Sequence, residues 1–171
     1  RYPITRGSRT DRTAKGGPNN PPDHLVLLAK DQEGYRNLVR LSSVGFVEGF
    51  YYKPRIDHEI LARHSKGLIA LSACLNAELP KLLLAGRDEE ALSAAGRYSD
   101  IFGKDHFYIE LQDHGIPEER LVMPRLVELS KKSGIPLVAT NDCHYSLKED
   151  ADSQDVLVCI QTGKTVDDPN R

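Results

Sequence analysis

At 171 residues, 39% hydrophobic and 28% charged, the chain is long enough to bury a core as one domain. No charged start feeds an apolar stretch, and no apolar run nears the ~20 residues of a membrane span, so neither a secretory leader nor a membrane association is expected. Three cysteines, an odd number, argue against a disulfide framework and for a reducing, cytoplasmic compartment.

The chain opens on Arg1 rather than Met, and both ends read as cut from a longer protein. Residues 1–22 hold five basic residues against Asp11 alone, a net +4 that leaves -6 for the remainder. They lack periodicity and contain the breaker cluster Gly16 to Pro22, so a basic loop is expected. Its charge suits a phosphate backbone, although a solvated loop is the plainer reading. His24 to Ala29 is a continuous apolar run of strand length, as in strands buried on both faces. Gly34 to Val47 has helical spacing at Tyr35, Leu38, Val39, Leu41 and Val44. The tract Gly49 to Arg55 reads as a loop, and Asp57 can cap a short helix ending at Arg63.

A second strand, Gly67 to Ser72, runs into Ala73-Cys74. Helices are expected over Leu79–Ala85 and Asp88–Phe102, broken at Gly86. A third strand, Phe107 to Leu111, leads to Gln112-Asp113-His114. Pro117 opens a helix running to about Ser133, closed by Gly134. A fourth strand, Ile135 to Ala139, runs into Thr140-Asn141-Asp142-Cys143-His144. Asp150–Gln161 reads as a last helix with Val156, Leu157 and Ile160 on one face, and residues 162–171 as an exit loop. Residues 23–161 thus alternate strand and helix four times, the pattern of a parallel α/β fold. Four strands are too few to close a barrel of about eight, so the chain reads as the later part of one.

In an extended chain Asp142 and His144 point the same way and Cys143 points away. A carboxylate beside an imidazole at a strand end suits a divalent metal, because both offer lone pairs. A lone D-x-H is otherwise an ordinary turn. Cys74 is either a metal thiolate or a small buried residue; a nucleophilic role would need a basic neighbour that the local sequence does not show. Cys143 and Cys159 read as packing residues, His24 as a structural histidine, and His58, His64 and His106 as solvated. Asp113 and His114 stand where they could orient a ligand without binding the ion. There is no C-x-x-C, H-E-x-x-H, G-x-x-x-x-G-K-[ST] or G-x-G-x-x-G motif, so any metal site rests on a constellation.

The motifs beginning at His24, Gly34, Gly49, Gly67, Thr140 and Cys159, taken in this order, resemble the polymerase and histidinol phosphatase (PHP) domain of bacterial DNA polymerase III alpha subunits. The resemblance covers nearly the whole chain. It implies a partial PHP domain over 1–171, the C-terminal portion of a distorted seven-stranded βα (TIM-like) barrel, with the exit loop leading toward a polymerase module. It implies a cluster of up to three divalent metal ions, zinc before manganese or magnesium. His24, Cys74, Asp142 and His144 match its last four ligand positions; the earlier ligands fall before Arg1, so the set here is incomplete. It further implies a parent that synthesises DNA and carries a metal-dependent 3′→5′ exonuclease site, with DNA, the remaining polymerase domains and other replisome subunits as partners. The alternatives are a non-catalytic docking module and a stand-alone PHP phosphoesterase. The fragment alone is expected to be inactive.

Overall fold

The computed structural model describes residues 2–13 and 21–169, which divide into two compact units, 1–140 and 141–171. The first unit contains β1 (Tyr2–Thr5), β2 (Asp23–Ala29), α1 (Gln32–Val47), β3 (Ile56–Asp57), α2 (His58–Arg63), β4 (Leu68–Leu71), α3 (Glu78–Leu84), α4 (Asp88–Phe102), β5 (Phe107–Leu111), α5 (Pro117–Ser133) and β6 (Leu137–Ala139). Among the described residues the strands form one six-stranded sheet in the order β3-β1-β2-β4-β5-β6.

The sheet is mixed, which corrects the all-parallel expectation. β4, β5 and β6 are parallel to one another, as their helical crossovers require. β2, by contrast, is antiparallel to both β1 and β4, with Val26 opposite Leu71 and Ala29 opposite Leu68. Two further strands lie where none was expected. β1 falls within residues 1–22, and β3 is the two-residue segment before α2, parallel to β1. Both are too short to show a period; pairing with a neighbour defines them. Of the breaker cluster, only Pro21 and Pro22 lie within the described residues.

Burial along β2 alternates, contrary to the expectation of a strand covered on both faces. Asp23, Leu25 and Leu27 are buried, His24 and Val26 are half-buried, and Leu28 is 49% exposed. Leu25 and Leu27 join Leu68, Ala70, Phe107 and Ile109 on the face that packs against the helices. That core takes Leu41 and Val44 from α1, Leu79 and Leu83 from α3, Ala91, Ala95 and Tyr98 from α4, and Leu126 from α5. Each large apolar side chain buried this completely contributes about 1.5–3 kcal/mol.

The helices start and stop for local reasons. Asp31 caps α1 by accepting the Gly34 N–H at 2.8 Å. Gly34 is required there: a Cβ would sit 1.8 Å from the Gly67 carbonyl oxygen. Pro117 opens α5, and Gly134, at φ 71°, closes it in the left-handed conformation.

Two arginines of the basic first segment are tied down. Arg6 binds Asp23 at 2.6 Å, and Arg9 binds Glu48 at 2.8 Å and Asp57 at 3.1 Å. The buried Arg55 donates to the carbonyls of Gly49, Arg9 and Asp11 at 3.2, 3.0 and 2.7 Å, and lies over the Tyr51 ring. It binds the Gly49–Arg55 tract to the N-terminal segment.

The second unit holds a 3-10 turn (Lys148–Asp150) and α6 (Ala151–Thr162), which Gly163 ends in the left-handed conformation. Its expected apolar face is open: Val156, Leu157 and Ile160 are 47%, 55% and 72% exposed, and Cys159 is the buried residue of the helix. Among the described residues no helix is long and apolar enough to cross a membrane.

Asp57 is the junction most exposed to test. It accepts the Ile60 N–H at 3.0 Å as the α2 cap and the Arg9 N–H at 2.8 Å. Burial pushes its carboxyl up, but these bonds and the Arg9 charge outweigh burial and hold it below its ordinary 3.8. Asp57→Ala should therefore destabilise the protein by about 2 kcal/mol near neutral pH, read from urea midpoints. The stabilisation is present above the ordinary value and lost as pH falls through the lower native one, so the gap between variant and parent should shrink in acid.

Candidate metal centre

Because β2 runs antiparallel to β4, its first residues lie at the edge where β4 and β5 end. His24, half-buried near the start of β2, donates its backbone N–H to Asn76 O at 3.1 Å, in the loop after β4. Its Nδ1 lies 3.6 Å from the Sγ of Cys74. The basic neighbour that Cys74 lacked in sequence is thus supplied by His24, fifty residues earlier.

Cys74 is presented by a strained turn. Ala73 has φ 61°, a left-handed conformation that costs a non-glycine residue roughly 1–2 kcal/mol. The turn is held from β5. Ser72 N–H bonds Tyr108 O at 3.0 Å, Glu110 N–H bonds the Ser72 hydroxyl at 2.9 Å, and Ala73 N–H bonds Glu110 Oε2 at 2.8 Å. Glu110 Oε1 accepts from Gln112 Nε2 at 3.0 Å and from the Thr140 hydroxyl. Glu110 is buried, and it lines a cleft with Cys74, Gln112 and Glu119. Sequence reasoning treated it only as part of a strand. The available signal was a carboxylate amid Phe107, Tyr108, Ile109 and Leu111, where a buried charge requires partners.

Asp142 and His144 are neighbours within the second unit, as the D-x-H spacing predicts. His144 Nδ1 donates to the Asp142 backbone carbonyl at 2.7 Å and lies 3.6 Å from its carboxylate. With the proton on Nδ1, the Nε2 lone pair faces away from that bond and can bind a metal. Asp113 closes its own turn, accepting the Gly115 N–H at 3.0 Å. His114 pairs with Glu119 through Nδ1 at 2.8 Å and through its backbone N–H at 2.7 Å. Burial raises the Glu119 carboxyl, but the bonds and charge of His114 outweigh this and keep it below its ordinary value.

The donor chemistry fits zinc at the first pair. Tetrahedral bonds of the usual Zn–S and Zn–N lengths place the two donor atoms about 3.5 Å apart, and His24 and Cys74 stand at 3.6 Å. Among the described residues, however, no group of three or more His, Cys, Asp or Glu is arranged to hold an ion.

A charged network backs the start of β2. Asp23 binds Arg6 and Lys81, and Glu78 binds Arg97 at 2.8 Å and the Tyr98 hydroxyl at 2.9 Å. His58, expected to be solvated, is packed here, with Nε2 3.3 Å from the Tyr98 hydroxyl. His64 and His106 are half-buried and also have partners, Asn37 and Lys30.

Residues 6–114 match the PHP domain family. The chain belongs to that family. It is also similar to DNA polymerase III alpha subunits: 55% identical to that of Treponema pallidum over 86% of the chain, 51% to that of Thermus aquaticus over 98%, and 48% to that of Deinococcus radiodurans over 96%. This PHP chain spans only 12–14% of the length of those relatives.

Burial, with the Arg97 charge adding, holds the His58 imidazole below its ordinary 6.5. Unfolded chains then take up that proton more readily than folded ones. The contribution is intact above the ordinary value and lost as pH falls below it. Urea midpoints at about pH 7.5 and about pH 5.5 should show this loss, and His58→Gln should flatten it.

Proposed function

We propose that the chain is the PHP region of a bacterial replicative DNA polymerase alpha subunit, and that its metal centre belongs to a 3′→5′ exonuclease. The observation that carries the nuclease reading is the His24–Cys74 pair, set at a ligand-ligand distance beside the ends of the parallel strands. His24 and Cys74 would hold a divalent ion through nitrogen and sulfur, and Asp142 and His144 would add oxygen and nitrogen. Asp113 and His114 would orient groups around them. Zinc suits the thiolate best, with manganese or magnesium as alternatives. A bound ion would supply Lewis-acid chemistry to a phosphodiester. Its substrate is then DNA, and its partners are the remaining polymerase domains and other replisome subunits, in a reducing cytoplasm that keeps Cys74, Cys143 and Cys159 as free thiols.

The distorted seven-stranded barrel is part of the same reading. Val26, Ile69 and Tyr108 are half-buried and Leu28 is exposed on the sheet face away from the helices, and closure by further strands would cover them. A docking module without catalysis is the second reading.

In the full-length protein, Cys74→Ala should lower zinc content and slow digestion of single-stranded DNA, with a loss in metal affinity of at least about tenfold, and should leave polymerisation intact. Zinc content and digestion both unchanged would remove Cys74 from the site. Activity indifferent to a chelator would favour the docking module. Residues 1–171 alone, supplied with zinc or manganese, should not digest DNA. Robust digestion by a monodisperse sample would show that the ligand set is complete without further segments.

A further inference from the structure

We propose that Glu110 is the positioning residue of the PHP centre, acting through hydrogen bonds rather than charge. Its side-chain bonds go to Ala73, Gln112 and Thr140. It acts on Cys74 through the turn that presents it.

A left-handed Ala73 is sustained only when its surroundings over-determine it. Glu110 supplies two of the three bonds on Ser72 and Ala73 that do so: its own N–H to the Ser72 hydroxyl and its Oε2 to the Ala73 N–H. The Cys74 carbonyl is held next, by the Ala77 N–H at 2.9 Å. Through Oε1 the same carboxylate fixes Gln112, after β5, and Thr140, after β6. One buried side chain therefore sets the ends of three parallel strands relative to one another. Loss of the Ala73 bond leaves a buried N–H without an acceptor and a strained turn without its restraint. The turn would relax and withdraw Sγ from His24.

The geometry separates the effects of shape and charge. Gln112 Oε1 is buried without a partner. Glutamine at position 110 could keep its oxygen on Ala73 N–H, while its amide N–H group meets a flipped Gln112 and the Thr140 hydroxyl acting as acceptor. Aspartate would keep the charge but is one methylene too short to serve Ala73 and Thr140 together.

The test uses Glu110→Gln and Glu110→Asp in the full-length protein. Cobalt(II) is titrated while the thiolate-to-cobalt charge-transfer band is followed. In parallel, alkylation of Cys74 by iodoacetamide is resolved from that of Cys143 and Cys159 by peptide mass spectrometry, at several low urea concentrations. Glu110→Asp should lose about 10- to 100-fold in cobalt affinity. Its Cys74 should alkylate faster at a rate independent of low urea, the mark of local opening. Glu110→Gln should stay near the unsubstituted protein in both. An Asp variant with unchanged affinity and alkylation would overturn the proposal. So would a Gln variant as impaired as the Asp one, or acceleration that climbs with urea as global unfolding does. The cobalt measurement rests on the metal reading above and the alkylation measurement does not. If the unsubstituted protein shows no thiolate–cobalt band, that reading fails, and Glu110 is judged on alkylation alone.

Discussion

The antiparallel pairing of β2 with β4 is the constraint on which the candidate centre depends. A parallel β2 would have carried His24 to the opposite edge of the sheet, a strand length away from Cys74. Antiparallel pairing reverses the strand, so its first residues meet the carboxyl ends of its neighbours. The half-buried His24 then lies beside the Cys74 turn, while Asp23 turns to the helix-covered side and is neutralised by Arg6 and Lys81. Two consecutive residues thus serve different ends because strand side chains alternate.

Buried charge is the second organising feature. Asp23, Asp57, Glu78, Glu110, Glu119 and Arg55 are all buried, and all have hydrogen-bonding partners. Except for Glu119, whose partner His114 is five residues away, the partners come from remote elements or loops, so the same bonds that offset desolvation also join distant parts of the chain. Arg55 and Asp57 anchor the first segment through Arg9. Glu78 links α3 to α4 through Arg97 and Tyr98, and burial, with the Glu78 charge adding, pushes the Tyr98 hydroxyl far above its ordinary range. Glu110 joins the ends of β4, β5 and β6. Within the basic N-terminal segment, Arg6 and Arg9 are paired to Asp23, Glu48 and Asp57 of the fold.

Much of this was legible in the residues. The helices α1, α2, α4 and α5 lie close to where periodicity, Asp57, Pro117 and Gly134 placed them, because caps and amphipathic spacing are local. The PHP resemblance also held, because it rests on several ordered motifs rather than on one. The errors have a common physical origin. β1 and β3 were missed because short strands are defined by partners remote in sequence. The direction of β2 was misjudged because alternation of strand and helix does not encode orientation. The sequence around His58 reads as solvated because its burial depends on α4, forty residues on.

By itself, then, the sequence determined the helix boundaries, the apolar positions available for a core, the D-x-H pair at residues 142 and 144, and membership of the PHP family. Each of these follows from interactions within a few residues or from the order of motifs along the chain. Only the tertiary structure decided that the sheet is mixed, that His24 meets Cys74 across fifty residues, and that Glu110 supports the turn between them. Those are contacts between strand ends. Which ends meet depends on strand direction and register, which are set by the packing of the whole sheet against its helices.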